Sequence, residues 1–135
     1  IGLCLVGSEM CIRDRRITKG RKIYGLKYED EVEGIICIAY TNDVPESIKE
    51  LDMMSELVHM KKEVPKVAIA YTVWSRKRGA GREIIQKVLS HAKEQGIERV
   101  ITLSPLTPMA THFHIRNGAK QISINDTSQN FEYEL

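Results

Sequence analysis

Runs of apolar and β-branched residues in the first half of the chain predict strands. Residues 23–28 and 34–41 are rich in Ile and Tyr and flank an acidic turn, which is typical of an antiparallel hairpin. The continuous run of β-forming residues at 67–74 is typical of a central strand buried on both faces. Residues 42–63 are polar with a weak helical period, and they predict one short helix within a long connection.

The second half of the chain predicts alternating helices and strands. Five apolar residues recur with helical spacing and form one stripe: Ile84, Ile85, Val88, Leu89 and Ala92. Gly96 is positioned to end this helix. A strand, a second helix and two further strands are then predicted at residues 99–103, 108–117, 121–124 and 130–134. This order predicts an α/β (α+β) domain with a mixed sheet.

The composition narrows the classes of function. The 135 residues have the length of one domain, and 20 basic and 18 acidic side chains give a net charge of +2. This balance argues against nucleic-acid or membrane binding through bulk electrostatics, and no apolar run approaches the ~20 residues of a membrane span. Beyond the first fifteen residues Cys37 is the only cysteine, which predicts a cytoplasmic protein. Since Cys37 lies in an apolar run, we expect it to be buried and not to be a nucleophile.

The first fifteen residues are a separate case. Ile1 is not an initiator, and residues 4–15, Cys-Leu-Val-Gly-Ser-Glu-Met-Cys-Ile-Arg-Asp-Arg, resemble the translation of an adapter used in sequencing libraries. We therefore expect residues 1–15 to be a non-native segment, in the way that an expression tag is, and residues 16–135 to form the domain.

The most informative stretch is residues 76–81, Arg-Lys-Arg-Gly-Ala-Gly, between a predicted strand and a predicted helix. Glycines let the backbone approach an anion closely, and the N–H groups and dipole of a helix N-terminus attract it. The stretch is neither a Walker loop nor a dinucleotide fingerprint, because no Gly-Lys-Ser/Thr closes it and it has only two glycines. Taken alone, the pattern predicts a phosphate-binding loop or a tight turn with a solvated basic face.

The loop resembles the motif Gln/Arg-x-x-Gly-x-Gly/Ala of the GNAT acyltransferase superfamily. Its fixed positions and the paired aliphatics that follow are Arg76, Gly79, Gly81, Ile84 and Ile85. The resemblance implies a GNAT-like mixed, largely antiparallel sheet flanked by helices, with acetyl-CoA held by its pyrophosphate on this loop. The coenzyme-binding residues that it implies are Val73, Trp74, Arg76, Lys77, Arg78, Gly79, Ala80, Gly81, Arg82 and Thr107.

A second stretch resembles the family pattern Val-x-x-x-Asn-x-x-Ala-x-x-x-Tyr-x-x-x-Gly-Phe. Its positions are occupied here by Leu103, Thr107, Ala110, His114, Gly118 and Ala119. Thr107 therefore stands where the family has asparagine, and His114 stands where it has tyrosine. Little room precedes Lys22, so the family's N-terminal strand and helices are expected to be missing or shortened. More narrowly, the chain resembles small acetyltransferase-like proteins of tailed phages and marine bacteria.

The resemblance also implies a mechanism, in which a neutral amine attacks the thioester. A backbone N–H at a strand bulge polarises the carbonyl, and Val73 and Trp74 are the candidates for it. His114 is the candidate proton donor to the thiolate, and at a pKa near ~6.5 it would be protonated only in part at neutral pH. A packing role, with the ring bonded to a backbone carbonyl, remains the alternative. No general base is assigned, and the weak candidates are Asp126, Glu132 and Tyr133.

The leading prediction is an N-acetyltransferase that moves an acetyl group from acetyl-CoA to an unidentified amine. No metal is expected, since His112 and His114 are two residues apart and face opposite sides of a helix. One alternative is an enzyme similar to malonyl-CoA decarboxylases, which residues 102–105, Thr-Leu-Ser-Pro, resemble. Another is a non-catalytic module that binds coenzyme A or a partner. A nucleic-acid binder is a distant further alternative, and the oligomeric state is not predicted.

Overall fold

A computed structural model describes residues 2–5, 21–29, 31–62 and 64–135 of the chain. The strands and helices in this part of the chain follow one another as β1 Gly2–Leu5, β2 Arg21–Tyr28, β3 Glu31–Thr41, α1 Ile48–Lys61, β4 Val67–Ser75, α2 Ala80–Glu94, β5 Arg99–Thr102, β6 Ser104–Pro105, α3 Pro108–Arg116, β7 Lys120–Ile124 and β8 Ser128–Tyr133.

The strands form one mixed sheet in the order β1-β2-β3-β4-β5-β8-β6, with β7 paired to β8. Every pairing is antiparallel except that of β4 with β5, which is parallel. Parallel neighbours need a long crossover connection, and α2 supplies it. The predicted mixed, largely antiparallel sheet with flanking helices is confirmed, and so is the predicted hairpin, which is β2 and β3.

Helices cover both faces of the sheet, so the core has two parts. The apolar stripe of α2 packs on one face against side chains such as Ile36, Ala70 and Phe131. On the opposite face, Leu51 of α1 packs against a cluster that includes Ile69 and Ile101. Alternate residues in the first half of β4 therefore enter different clusters, which explains why residues 67–70 are all apolar. Cys37 is buried in β3, as expected.

The first fifteen residues are described only in part. Gly2–Leu5 form β1, a four-residue strand at the edge of the sheet that runs antiparallel to β2, with Leu5 opposite Tyr24. The rest of the stretch that resembles an adapter lies outside the described residues, and its foreign origin stays a prediction. No helix in the described part of the chain is long and apolar enough to span a bilayer.

Candidate active site

A cleft opens where β4 and β5 part. The parallel pairing runs from Val67 opposite Arg99 to Ala70 opposite Thr102. Its last bond is donated by the N–H of Leu103 to the carbonyl of Ala70, at 2.9 Å. Beyond this bond β4 continues to Ser75 along β3, whereas the chain after β5 turns away into β6. A cavity of about 530 Å³ fills the space between them.

The cavity is walled by three parts of the chain. Residues 70–75 of β4 form one wall, residues 103–107 form the other, and α3 covers the cleft with Met109, Ala110, Phe113 and His114. Neither acidic side chains nor lysine or arginine line it among the described residues. Polar groups come from a few hydroxyls, from His114 and from the backbone of β4, so the cavity suits a long neutral group.

The backbone of β4 is irregular beside this cavity. Cys37 pairs with Thr72 and Ile38 pairs with Ala70, so Tyr71 is an extra residue that forms a β-bulge. The bulge lies at Tyr71 and not at Val73 or Trp74, which corrects the predicted position. A one-residue insertion leaves no mark on a continuous run of β-forming residues, so the sequence could not place it.

The strand register nevertheless assigns a direction to each N–H group at the end of β4. Arg76 donates its N–H to the carbonyl of Glu33 in β3, at 2.7 Å. Since N–H groups along a strand point alternately to its two sides, Trp74 also faces β3, and Val73 and Ser75 face the cleft. Of the two predicted carbonyl donors, Val73 is therefore the one that can reach a group in the cavity.

The N-terminus of α2 forms a second cavity, of about 410 Å³, beside the first. Gly79 caps this helix with φ of +87°, a left-handed conformation that favours glycine, and no side chain caps the first turn. Gly79, Gly81 and Arg82 of this helix start line the second cavity, so N–H groups without an intrahelical acceptor lie beside it, as in anion sites at helix N-termini. The two cavities adjoin, because Ser75 and Phe113 line both.

The basic residues of the loop divide into two groups. Arg76 lies on the β3 side, with its guanidinium 2.6 Å from Glu31 and 3.4 Å from the buried carboxylate of Glu33. Its pKa is raised, mainly by the hydrogen bond to Glu31, and it does not line the cavity. Lys77 lines the cavity, with its Nζ 3.4 Å from Glu33. Two acidic residues of β3 thus hold Arg76 away from this cavity, and its predicted contact with the coenzyme stays a prediction.

Arg116 contributes positive charge to the second cavity, where the sequence had predicted a contribution from Arg76. It lies in the last turn of α3 and lines the second cavity with Arg78 and Arg82. No motif indicated Arg116, and the only available signal was a basic residue near the end of a predicted helix. The second cavity thus draws on both helices, and three arginines and a lysine line it.

Gly81 explains how the two helices come so close. A Cβ atom on Gly81 would lie 2.9 Å from Cε1 of Phe113 and 3.5 Å from the hydroxyl of Ser75. Only a residue without a side chain allows Phe113 to rest on the first turn of α2. Gly81 and Phe113 therefore set the width of the junction between the two cavities.

One further predicted residue, Thr107, is also in the wall, together with Ser104 of the Thr-Leu-Ser-Pro stretch. Thr107 lines the first cavity, but its hydroxyl caps α3 by accepting the N–H of Ala110 at 3.2 Å. Ser104 lines the same cavity and donates its hydroxyl to Thr102 at 2.9 Å. Asn130 of β8 donates to the carbonyls of Thr102 and Pro45, so this buried network fixes the outer wall of the cleft.

His114 lies on the cavity wall with most of its ring enclosed. Its Nδ1 is 2.7 Å from the hydroxyl of Tyr133, and the rings of Phe113 and Phe131 are within 5.2 Å. Burial lowers the pKa of His114 to about 4 and raises that of Tyr133 far above its usual value. The expectation of a partly protonated imidazole at neutral pH is therefore wrong, and its partner is a phenol, not a backbone carbonyl.

Two of the weak candidates for a general base, Glu132 and Asp126, lie away from the cleft, whereas the third, Tyr133, contacts His114. Glu132 makes two 2.8 Å bonds with Arg99, which lower the pKa of Glu132. Asp126 is exposed in the turn before β8, and His112 is exposed on α3. None of these side chains lines either cavity.

No protein-family model matches the sequence, and no curated protein matches it significantly. Solved structures do match. The IAA acetyltransferase of Bacillus cereus ATCC 14579 has 12% identity and a TM-score of 0.67, over 99% of each chain. The PaiA N-acetyltransferase of Thermoplasma acidophilum, in complex with coenzyme A, has 11% identity and a TM-score of 0.61, over 86% of this chain and 62% of that one.

The malonyl-CoA decarboxylase of Cupriavidus metallidurans has 16% identity and a TM-score of 0.57, over 84% of this chain and 33% of that one. The chain thus spans less than two thirds of the length of the decarboxylase and of PaiA. At these identities the similarity shows the fold. The chain has the fold of GNAT acetyltransferases, among which further solved structures match it.

Proposed function

We propose that the protein is an N-acetyltransferase that moves the acetyl group of acetyl-CoA to an amine. One observation carries the proposal: a neutral cleft between two parting strands runs directly into a basic cavity at a glycine-capped helix N-terminus. A ligand that fits both must be anionic at one end and a long neutral chain at the other. Coenzyme A thioesters have this shape and charge.

The coenzyme would lie with its phosphates at the first turn of α2, near Arg78, Arg82 and Arg116. Its pantetheine chain has amide groups, and these could pair with the free edge of β4, where the N–H groups of Val73 and Ser75 face the cleft. The thioester would then reach the deep end, between Val73 and His114. The solved structures that contain coenzyme A or acetyl-CoA on this fold support this ligand.

The reaction follows from that placement. The nitrogen of a neutral amine attacks the thioester carbonyl, and the N–H of Val73 stabilises the negative charge that develops on the oxygen. The C–S bond then breaks and the electron pair goes to sulfur. His114 lies where it can assist the departure of the thiolate. The nitrogen loses a proton to solvent and the thiolate takes up a proton, so the products are an amide and free coenzyme A, and the proposal requires no metal.

The test of coenzyme binding uses two glycines with the same backbone strain. Gly79 and Gly96 have φ of +87° and +80°, and a Cβ on either meets no atom within 4 Å. Gly79→Val and Gly96→Val should therefore lose similar stability, but only Gly79→Val should lose coenzyme A affinity. Binding can be followed by the fluorescence of Trp74, the single tryptophan, which lines the cavity and is 49% exposed. Unchanged affinity in Gly79→Val would refute this site.

A decarboxylase-like activity is the second candidate, because Ser104 of the Thr-Leu-Ser-Pro stretch lines the cavity and a malonyl-CoA decarboxylase shares the fold. Two assays distinguish the acetyltransferase from the decarboxylase. Thiol release from acetyl-CoA that depends on an added amine supports the acetyltransferase. Carbon dioxide release from malonyl-CoA without an amine supports the decarboxylase. Tight coenzyme A binding without either reaction would indicate a binding module.

A further inference from the structure

We propose that Tyr133 is a positioning residue, which holds neutral His114 in the tautomer whose Nε2 carries the proton and directs that N–H at the sulfur of the departing thiolate. The inference rests on the proposed function. It replaces the role of His114 as an acid with that of a neutral hydrogen-bond donor, and it gives Tyr133 a role in the site.

The direction of the hydrogen bond between the two residues follows from their burial. Tyr133 is 3% exposed, and the bond it makes to a described residue is the 2.7 Å contact with His114 Nδ1. If Nδ1 carried a proton and donated it, the phenol proton would be left in the protein interior without an acceptor, which folded proteins avoid. The phenol therefore donates to Nδ1, and a neutral imidazole must then carry its proton on Nε2.

The surroundings keep His114 neutral. The rings of Phe113, Phe131 and Tyr133 lie 5.1, 5.2 and 5.8 Å from the imidazole ring. A cation is poorly solvated among these rings, and burial alone accounts for the low pKa of the imidazole. Tyr133 is the titratable group in contact with it, and it stays protonated at neutral pH. Proton donation by an imidazolium is thus a minor route at pH 7.

The second ring nitrogen faces the cleft. His114 lines the cavity, its Nε2 makes no hydrogen bond to a described residue, and Nε2 is not among the fully enclosed atoms. Phe131, beside the ring, donates its backbone N–H to Thr102 at 3.1 Å, next to the bond from Leu103 that closes the cleft. Since His114 and Val73 line the same cavity, we place the Nε2 proton on the same cleft as the N–H of Val73.

This arrangement gives the reaction two neutral donors, one for each atom that gains charge. The N–H of Val73 serves the carbonyl oxygen, and the Nε2–H of His114 serves the sulfur as the C–S bond breaks. His114 keeps its proton throughout. The proton that the nitrogen loses after attack reaches the thiolate through solvent, so the sum of the reaction is amine plus thioester to amide plus thiol.

The first test reads the tautomer directly. In side-chain ¹⁵N spectra of the wild-type protein at pH 7, the Nδ1 of His114 should be unprotonated and its Nε2 protonated. Tyr133→Phe removes the bond that fixes this state, so the two nitrogens should report a mixture of tautomers. A proton on Nδ1 in the wild type, or an imidazolium at pH 7, would overturn the inference whether or not the protein is an enzyme.

The second test measures kcat and the KM for acetyl-CoA in variants of Tyr133 and His114. Tyr133→Phe should lower kcat about tenfold with an unchanged KM for acetyl-CoA, because the donor is misdirected and the coenzyme contacts remain. Tyr24→Phe is the matched control, since its hydroxyl lies 3.3 Å from His91 outside the cleft, and it should leave kcat unchanged. His114→Gln, which keeps an N–H donor, should retain more activity than His114→Phe.

The outcomes separate the inference from the proposed function. Equal kcat in Tyr133→Phe and the wild type would overturn the role of Tyr133 while the acetyltransferase stands. If the wild type releases no thiol with any amine and binds no coenzyme A, the proposed function fails, and the role at sulfur fails with it. The ¹⁵N spectra would then decide only the tautomer of the pair.

Discussion

His114 connects the chemistry of the cleft to the stability of the fold. In the folded protein its pKa is lowered to about 4 by burial, whereas an unfolded chain has a value near 6.5. Between these values the unfolded state binds a proton that the folded state does not. Stability therefore rises with pH in this window and is lost as pH falls through it.

We predict that the free energy of unfolding falls by about 3 kcal/mol from this residue alone as pH is lowered from 6.5 to 4. In His114→Phe this part of the slope should vanish, although the variant starts less stable because the Tyr133 hydroxyl loses its partner. Urea unfolding at several pH values measures both slopes. His112→Ala, at an exposed position, should keep the wild-type slope. Parallel slopes for His114→Phe and the wild type would contradict the buried neutral imidazole.

The contact between Gly81 and Phe113 leads to a second prediction about single residues. Gly81→Ala should displace the Phe113 ring, since the new methyl group would lie 2.9 Å from Cε1. We expect coenzyme A affinity to fall about tenfold while the fold is kept, because the junction of the two cavities narrows. Phe113→Leu added to Gly81→Ala should restore part of the affinity, and this coupling can be measured by a double-mutant cycle. Additive effects would show that the two residues do not define the junction.

At the scale of elements, the loop after β4 shows that neighbouring basic residues have different partners. Arg116→Gln should weaken coenzyme A binding about fivefold, since a charged donor at the rim of the anion site is lost. Arg76→Gln should leave binding unchanged, because its partners are Glu31 and Glu33. Calorimetry on both variants is the measurement. A larger loss in Arg76→Gln than in Arg116→Gln would return Arg76 to the site.

The sequence predicted this loop and its helix because the signals are local. Gly79 at the cap and the apolar stripe of α2 lie within fifteen residues of each other, and helical period and backbone freedom decide both. The partners of Arg76 come from β3, more than forty residues earlier, and only the register of the sheet brings them together. For the same reason the sequence could not show that Arg116 lines the second cavity.

The short strands and the bulge differ in how far the sequence alone could predict them. Strand β6 is the two residues Ser104–Pro105, which is too short to carry a period. Strand β7 was predicted although most of its residues are exposed, because alternation survives there. The bulge at Tyr71 changes the side to which N–H groups point without changing composition. Geometry that depends on one inserted residue is visible only in the paired strands.

For the molecule as a whole, the order of elements indicated a mixed sheet, since a helix such as α2 can form the crossover between parallel neighbours. The order alone does not decide the direction of a pairing, because α1 joins β3 and β4 and these strands are antiparallel. What the order cannot give is the point at which β4 and β5 separate. That point depends on the network of Asn130, Thr102 and Pro45, whose members lie up to 85 residues apart. The presence of a cleft could therefore be predicted from the fold it resembles, but not its walls.

The first fifteen residues supply a prediction at this scale. We expect removal of residues 1–15 to leave the fold and coenzyme A binding intact, because β1 is a four-residue strand that pairs only with β2 among the described strands. A small fall in melting temperature is compatible with the loss of this short ladder. Thermal unfolding and a coenzyme A titration of the shortened protein are the measurements. Loss of cooperative unfolding would show that the segment is part of the domain.

The separation of β4 from β5 has a consequence for solubility. Residues 72–75 of β4 pair with β3 alone among the described strands, so the middle of the sheet carries an open edge. An open edge is a template for strands of other molecules, and proteins usually cover or blunt it. A pantetheine chain in the cleft would occupy that edge as a small guest strand. Coenzyme A should therefore slow the aggregation of the concentrated protein well below its melting temperature, as light scattering would show, and in Gly79→Val it should give no such protection.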